Sequence, residues 1–494
     1  MSKLTTTRTR RSLPSKPKWN PHGYQKKAIK FLLANYSAGL FLDPGLGKTS
    51  VTLAAAKILR KEKTLLGLLV VAPLRPARTT WPKEVSKWQD FEDTDLVVLH
   101  GKDFSKLCRE KHDVYVINYE GLQKLFWRKK VGKTWQHGLT EDGKALMKNV
   151  NGLAWDELSK MKHTDTQRAK LVKPHLKKFL IKWGLTGSPA SNGLEDLFGQ
   201  CYALDEGRTL GPYVTHFRMQ YFTAIDHHTR VLNPGADVLI YERLKPLVLR
   251  MDAEDHLELP RHMDHVIKFD LEGKVRAQYE AMEDEMLTVL DSLDIVTAAN
   301  QAGASSKCRQ ICSGAIYLPD VDPVTGESRK KLRSASVWSH LHDEKLELLA
   351  DLVDELQGQQ LLVAYDFRHD LERLLKRFPN TPYIGGGVSG KRGEEIEAEW
   401  NAGEIPLLFG HPASMGHGLN LQESNAHHIC WFTMTWDFEL YDQFIKRLRR
   451  QGNKADTLHN YHLIARDTVE ERVYGVLRGK NRTQKKLLDA LKGK

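Results

Sequence analysis

The chain has 494 residues, with 74 Lys and Arg against 62 Asp and Glu and a formal net charge of +12. This length predicts two large domains or about three smaller ones, and the basic surplus indicates a polyanionic partner, with nucleic acid first. Its 5 cysteines are too few and too scattered for a disulfide framework, which argues against secretion. The longest apolar run, residues 65–74, is too short to cross a membrane, and no apolar signal segment is evident, so we expect a cytoplasmic protein.

The first half of the chain alternates strand and helix signals. Residues 1–20 contain no acid and little that is apolar, which predicts a basic disordered tail. Residues 21–207 are predicted to form a first α/β lobe, because short apolar runs separated by helices favour a parallel, doubly wound sheet. The predicted elements include strands at 39–42, 65–71, 96–99 and 114–117 and a helix at 49–63.

The second half repeats the scheme after an interruption. Residues 208–340 are predicted to form a helical insertion and linker that fits neither sheet. Residues 341–475 are predicted to form a second α/β lobe, and residues 476–494 a basic C-terminal helix. The predicted elements of the second lobe include strands at 360–365, 405–409 and 428–432 and a helix at 346–356.

The turn at residues 43–49 falls between a predicted strand and a predicted helix, where a phosphate-binding loop is built. Its glycines let backbone N–H groups face a phosphate, its lysine reaches the β- and γ-phosphates, and its hydroxyl can ligate Mg²⁺. The pattern departs from G-x-x-x-x-G-K-[ST] at the first position, Leu42, and a turn that merely caps a helix is the alternative. The candidate nucleotide-binding residues are Gly45, Leu46, Gly47, Lys48 and Thr49.

Nucleotide hydrolysis also needs a carboxylate for the Mg²⁺ shell and a group that orients the attacking water. The pair Asp156–Glu157, after the apolar run 150–155, has the residue types for both tasks. Taken alone, such a pair is an ordinary solvated feature. A Leu-Thr-Gly-Ser-Pro segment follows at residues 185–189, so the order of the motifs is the informative observation.

This order resembles the ATP-binding lobe of helicase superfamily-two proteins, and specifically of the Swi/Snf-type DNA translocases. That lobe carries a Tyr-Gln adenine motif, here Tyr24–Gln25, then Gly-Leu-Gly-Lys-Thr, an Ala-Pro element, an Asp-Glu box and Leu-Thr-Gly-(Thr/Ser)-Pro. Residues 413–421 are similar to the family's Gly-x-Gly-x-Asn-Leu segment, and residues 443–450 to its Gln-x-x-x-Arg-x-x-Arg signature. The candidates in the second lobe are Gly416, Gly418, Asn420, Gln443, Arg447 and Arg450.

The resemblance implies an α/β fold of two RecA-like P-loop lobes with parallel sheets and a helical insertion between them, and with ATP in the cleft. The implied enzyme is a DNA-dependent ATPase that moves along duplex DNA without sequence preference. A strand-separating DNA or RNA helicase of the same superfamily and a non-catalytic DNA-binding scaffold are the alternatives. A chain without accessory domains resembles the compact bacterial or bacteriophage members.

The resemblance also implies roles for individual residues. Lys48 would bind phosphates, Thr49 and Asp156 would hold Mg²⁺, Glu157 would activate water, Gln25 would read adenine, and Arg447 and Arg450 would approach the γ-phosphate. Ser159 stands where the family usually places His, and Arg449 replaces another common His. Coupling between the Asp-Glu box and the Thr186 motif is therefore expected to differ from the family pattern.

A basic and aromatic segment precedes the Asp-Glu box. Its composition is suited to stacking on bases and to phosphate contact, and a solvated hairpin is the alternative. The residues concerned are Lys124, Phe126, Trp127, Arg128, Lys129, Lys130, Lys133 and Trp135.

Overall fold

The computed structural model describes residues 16–191, 193–225, 230–292, 298–318, 337–415 and 418–492. Two large sheets organise these residues into two α/β lobes. Among the described helices, none is long and apolar enough to cross a membrane.

The strands of lobe 1 are, in chain order, β1 (Ser37–Leu42), β2 (Leu68–Ala72), β3 (Leu96–Val98), β4 (Val114–Asn118), β5 (Phe126–Val131), β6 (Thr134–Leu139), β7 (Gly152–Asp156), β8 (Ile181–Thr186), β9 (Phe222–Ala224), β10 (Arg230–Leu232) and β11 (Val248–Met251). Seven of them form a parallel sheet in the order β11-β1-β8-β7-β2-β4-β3. β5 pairs with β6, and β9 with β10, as separate antiparallel hairpins. Because the large sheet is parallel, the C-terminal ends of β1, β4, β7 and β8 lie along the same side of the sheet, which we call the carboxyl edge of lobe 1.

The helices of lobe 1 cover both faces of this sheet, and for that reason its strands appear in the sequence as continuous apolar runs. In β2, Leu69 and Val71 pack into one buried cluster, whereas Leu68 and Val70 pack into the other. The helices are α1 (Gly23–Ala34), α2 (Lys48–Lys61), α3 (Leu74–Arg78), α4 (Thr80–Lys87), α5 (Phe104–Arg109), α6 (Glu141–Leu146), α7 (Gln167–Val172), α8 (Asp196–Asp205), α9 (Val214–Tyr221) and α10 (Ala236–Leu244).

The strands of lobe 2 are β12 (Arg261–Phe269), β13 (Ala315–Tyr317), β14 (Trp338–His340), β15 (Leu361–Ala364), β16 (Tyr383–Ile384), β17 (Leu407–Gly410), β18 (His428–Trp431) and β19 (Thr457–Ala465). Six of them form a second parallel sheet in the order β12-β19-β18-β15-β17-β16. The helices are α11 (Gly273–Ser292), α12 (Ala298–Ser313), α13 (Glu344–Glu355), α14 (Arg368–Arg377), α15 (Gly390–Asn401), α16 (Pro412–Met415), α17 (Phe438–Ile445) and α18 (Val469–Lys492).

The structure corrects the prediction that residues 208–340 form an insertion that fits neither sheet. β11 extends the sheet of lobe 1 by pairing with β1, and β12 forms an edge strand of lobe 2 along the whole of β19. The sequence of β12, Arg-His-Met-Asp-His-Val-Ile-Lys-Phe, is mostly exposed and polar, so it lacks the apolar run by which the other strands were predicted. Along the chain, the boundary between the two lobes therefore falls between β11 and β12, well before residue 340.

The two chain ends also differ from the prediction. Of the predicted disordered tail, residues 1–15 lie outside the described residues, whereas residues 16–20 pack on lobe 1. Trp19 donates its backbone N–H to Asp90 Oδ2 at 2.7 Å, and its ring contacts Phe91. The predicted C-terminal helix is the end of α18, which begins at Val469 rather than at residue 476, because Val469 and Val473 are buried against lobe 2.

Candidate nucleotide-binding cleft

A cleft of about 480 Å³ lies between the carboxyl edge of lobe 1 and helix α17 of lobe 2. Leu46 does not line it, because its side chain is buried in the core of lobe 1, and Gly416 lies outside the described residues. The other predicted site residues all line this one cleft: Tyr24, Gln25, Gly45, Gly47, Lys48, Thr49, Asp156, Glu157, Gly418, Asn420, Gln443, Arg447 and Arg450.

The phosphate-loop turn places a cation at the head of helix α2. Gly47 has a φ of 76°, a conformation that favours glycine, and a Cβ there would lie 2.5 Å from Gln25 Nε2 and would displace the Gln25 amide. Lys48 begins α2 and donates from Nζ to the carbonyl oxygen of Leu42 at 2.8 Å. Burial lowers the pKa of Lys48 to about 8, against the opposing effects of Glu157 and Asp156. The loop thus combines a helix N-terminus with an ammonium group.

The predicted adenine motif packs against this loop. Gln25 donates from Nε2 to the carbonyl oxygen of Leu46 at 3.3 Å, and its Oε1 accepts from the backbone N–H of His22 at 2.9 Å. Tyr24 stacks between two rings, with centroids 5.4 Å from His22 and 4.8 Å from His256. The start of α1 is therefore fixed to the loop that precedes α2.

Asp156, at the end of β7, is oriented by a residue that was not predicted as part of the site. Trp81 Nε1 donates to Asp156 Oδ2 at 2.9 Å, and the Trp81 side chain is completely buried. Burial, with a smaller contribution from Glu157, raises the pKa of Asp156 to about 6. The sequence signal that could have identified this residue is the position of Trp81 after the Ala-Pro element, Ala72–Pro73.

Glu157 occupies a left-handed backbone conformation, with a φ of 66°. Tyr119 stabilises this turn, since its hydroxyl lies 3.0 Å from the carbonyl oxygens of both Asp156 and Glu157. Two further hydroxyls donate to Glu157 Oε1, from Thr186 Oγ1 at 2.7 Å and from Ser159 Oγ at 2.8 Å. A strained backbone and a carboxylate held by two donors are typical of a functional position.

Ser159 also connects Glu157 to lobe 2. Its Oγ lies 2.9 Å from Glu439 Oε1 on α17, and Ser159 is buried. Burial, followed by the charge of Glu157, raises the pKa of Glu439. Lys162 Nζ lies 3.6 Å from Glu439 Oε2 and opposes this rise, so the Ser159 hydroxyl lies between two carboxylates that come from different lobes. This connection between the lobes was not predicted.

Helix α17 makes further contacts with lobe 1. Ser188 Oγ donates to Asp442 Oδ2 at 3.1 Å, and Lys446 Nζ lies 3.5 Å from Asp43 Oδ1 in the phosphate loop. Asp43 also accepts from Arg250 at 3.1 Å, and these two cations hold its pKa well below the usual range despite its burial. Helix α17 therefore contacts the Asp-Glu box and the Thr186 motif of lobe 1, and Lys446, the residue that follows the helix, contacts the phosphate loop.

The two predicted arginines follow α17 and face the same cleft. Arg447 Nη1 donates to the carbonyl oxygen of Leu419 at 2.8 Å, and burial together with Arg450 lowers its pKa to about 9. Arg450 Nη1 donates to Asn420 Oδ1 at 2.9 Å. The Cγ of Arg450 lies 3.5 Å from the position of a Cβ on Gly45, so its side chain crosses the phosphate loop. Two guanidinium groups and Lys48 therefore surround the cleft.

Two α/β lobes with a phosphate loop, an Asp-Glu box and arginines around one cleft define a helicase-type P-loop ATPase. The sequence matches the family described as "SNF2-related domain" over residues 24–318 and "Helicase conserved C-terminal domain" over residues 344–452. The chain belongs to the SNF2-related family. The predicted family, fold class and enzyme class, an ATPase of helicase superfamily two, are confirmed.

Individual relatives differ in how much of their length the chain covers. It is 33% identical to "Putative protein p41" of Acyrthosiphon pisum secondary endosymbiont phage 1, over 96% of this chain and 99% of that protein. It is 26% identical to the CHD3-type chromatin-remodeling factor CHR7 of Arabidopsis thaliana, over 93% of this chain but only 37% of that protein. The Sulfolobus solfataricus SWI2/SNF2 ATPase core in complex with dsDNA is 22% identical, with a TM-score of 0.42 and coverage of 97% of this chain and 95% of that one.

Proposed function

We propose that this chain is a motor that hydrolyses ATP between its lobes while it moves along duplex DNA without sequence preference. The observation that carries the proposal is helix α17, which joins lobe 2 to the phosphate loop and brings Arg447 and Arg450 to the cleft. Chemistry that needs groups from both lobes responds to every change in their separation. The net charge of +12 suits a partner made of phosphates.

The residues of the cleft fit ATP and Mg²⁺. Lys48 and the N–H groups at the head of α2 would hold the β- and γ-phosphates, and Thr49 and Asp156 have the oxygen donors that Mg²⁺ prefers. When bound, Mg²⁺ would neutralise phosphate charge. Glu157, fixed by Thr186 and Ser159, would accept the proton of the attacking water.

The nucleic acid preference can be tested by measuring the ATPase rate with no polymer, single-stranded DNA, duplex DNA and RNA. We expect the largest stimulation with duplex DNA, and displacement of a triplex-forming strand without separation of the duplex. Strand separation, or RNA as the best activator, would instead support the unwinding helicase. Lys48→Ala is the inactive reference. If the unchanged protein hydrolysed ATP no faster than this variant, only the non-catalytic DNA-binding scaffold would remain as a function.

The role of lobe 2 can be tested with Arg450→Ala. Its guanidinium faces the cleft, so we expect DNA affinity without nucleotide to stay within about threefold of that of the unchanged protein. The DNA-stimulated ATPase rate should fall by about 10³-fold, as expected for an arginine that stabilises transferred phosphate. Full stimulated activity in this variant would contradict the assignment.

A further inference from the structure

We propose that the antiparallel hairpin β5–β6 is an arm of lobe 1 that binds the phosphodiester backbone of duplex DNA. This inference rests on the proposed function, and it assigns part of the DNA contact to a surface outside the cleft. The hairpin is inserted between β4 and β7, and its strands pair from Phe126 opposite Leu139 to Val131 opposite Thr134.

The charge of the hairpin is one-sided. Residues 121–140 contain 5 Lys or Arg and no Asp or Glu. Lys129, Lys130 and Lys133 are exposed, and within the part of the chain that the structure describes no carboxylate pairs with them. Solvated surface charges usually alternate in sign, whereas a run of cations without acids is the electrostatic pattern of a polyanion-binding surface.

Exposed aromatic rings lie among these cations. Trp135 is 50% exposed and Trp127 is 39% exposed, although large apolar side chains are usually buried. The Arg128 guanidinium lies 3.7 Å from the centroid of the Trp135 ring, and Trp127 Nε1 donates to the carbonyl oxygen of Leu139 at 3.1 Å. The Trp135 ring therefore contacts a cation of the neighbouring strand, and the Trp127 indole is tied to the backbone of β6. The tip, from Val131 to Thr134, carries no aromatic ring that could separate base pairs.

The root of the hairpin is rigid. Leu125 and Phe126 are buried, and Thr140 closes the two strands by donating from Oγ1 to the carbonyl oxygen of Lys124 at 2.6 Å and from N–H to that of Leu125 at 3.0 Å. Phe126 stacks on His175, with centroids 5.2 Å apart. A fixed root with a solvated, cationic end is the geometry of an arm that reaches a ligand without first ordering itself.

The position of the hairpin relates it to the cleft. The chain leaves β4 at the carboxyl edge of lobe 1 and passes through Tyr119 before it enters β5. Tyr119 is the residue that bonds the backbone of Asp156 and Glu157. The arm therefore starts on the same edge of the sheet as the candidate nucleotide-binding groups. This position would allow DNA contact and ATP hydrolysis to influence each other.

The test is a charge-removal variant, Lys129→Ala/Lys130→Ala/Lys133→Ala, with binding to a duplex measured over a range of salt concentrations. Each lost phosphate contact reduces the slope of log Kd against log salt by about 0.9, so we expect a reduction of about 2 to 3. The Kd at moderate salt should rise about 10-fold to 100-fold. Lys129→Arg/Lys130→Arg/Lys133→Arg should retain the original slope, and thermal unfolding midpoints should agree among all variants.

The matched control removes the same charge from the opposite edge of the same sheet. Lys61, at the end of α2, and Lys111 and Lys148, on the connections that enter β4 and β7, are all exposed. Their replacement by alanine should leave the ATPase rate without DNA unchanged and the salt slope nearly so. Equal slopes for the two triple variants would overturn the hairpin proposal without affecting the proposed motor function. Failure of the unaltered protein to bind duplex DNA would overturn both proposals.

A second measurement detects proximity rather than affinity. All five native cysteines are buried, so Lys133→Cys supplies an exposed thiol at the tip of the hairpin. With a duplex that carries an activated disulfide tether on its backbone, we expect crosslinking at the tip and none with Lys111→Cys. Equal crosslinking at the two positions would refute the assignment of the hairpin as a DNA-binding arm.

Discussion

Ser159 provides the sharpest test of how lobe 2 influences Glu157, the carboxylate that we propose activates water. Ser159→Ala removes the hydroxyl that lies 2.8 Å from Glu157 Oε1 and 2.9 Å from Glu439 Oε1. A hydrogen bond to a charged group contributes about 1.5–3 kcal/mol. Thr186 still donates to Glu157, so we take the lower half of this range for the loss in transition-state stabilisation.

A loss of about 1.5–2 kcal/mol corresponds to a decrease in kcat of about 10-fold to 30-fold. The KM for ATP should change less than about threefold, because the phosphate loop is untouched. The assay is steady-state ATPase at saturating duplex DNA, with thermal unfolding as a check on folding.

Ser188→Ala is the matched control for this experiment. Ser188 is also a buried serine that donates to a carboxylate of α17, but its partner is Asp442 and it does not bond Glu157. We expect a clearly smaller decrease in kcat from this change. Equal decreases in the two variants would mean that Ser159 only joins the lobes, and an unchanged kcat in Ser159→Ala would refute its role altogether.

Two further predictions concern stability. Lys345→Met should lower the free energy of unfolding by about 3–5 kcal/mol, because it leaves Glu470, 2.5 Å away, as an uncompensated buried charge; the double variant with Glu470→Leu should be less destabilised in chemical denaturation. His342, His428 and His462 have pKa values lowered to about 4 by burial. As the pH falls, the unfolded chain protonates these histidines before the folded chain does. The free energy of unfolding should therefore be constant above about pH 6.5 and decline toward pH 4, by about 2 kcal/mol for each histidine at pH 5. Denaturation curves for His428→Gln should show a smaller decline, and an identical decline would contradict the assignment.

The family and the main site motifs could be recognised from the sequence because they depend on local chemistry. A phosphate loop needs Gly47 and Lys48 in consecutive positions, and a strand buried on both faces needs an apolar run such as β2. These requirements act over a few residues and are therefore readable in order along the chain. Thirteen of the predicted site residues accordingly line the cleft, although other lining residues, such as Glu84 and Trp88, were not among the predicted ones.

The contacts between distant segments could not be predicted in this way. β12 is polar and exposed, and only its pairing with β19 identifies it as a strand. Glu439 is an ordinary residue in the sequence, and Trp81 is marked only by its place after the Ala-Pro element; both acquire roles because folding places them beside Ser159 and Asp156. Side chains separated by many residues interact only after burial removes water from between them. The sequence by itself thus determined the family, the two α/β lobes and the phosphate-loop motif, and the tertiary structure decided how lobe 2 reaches Glu157.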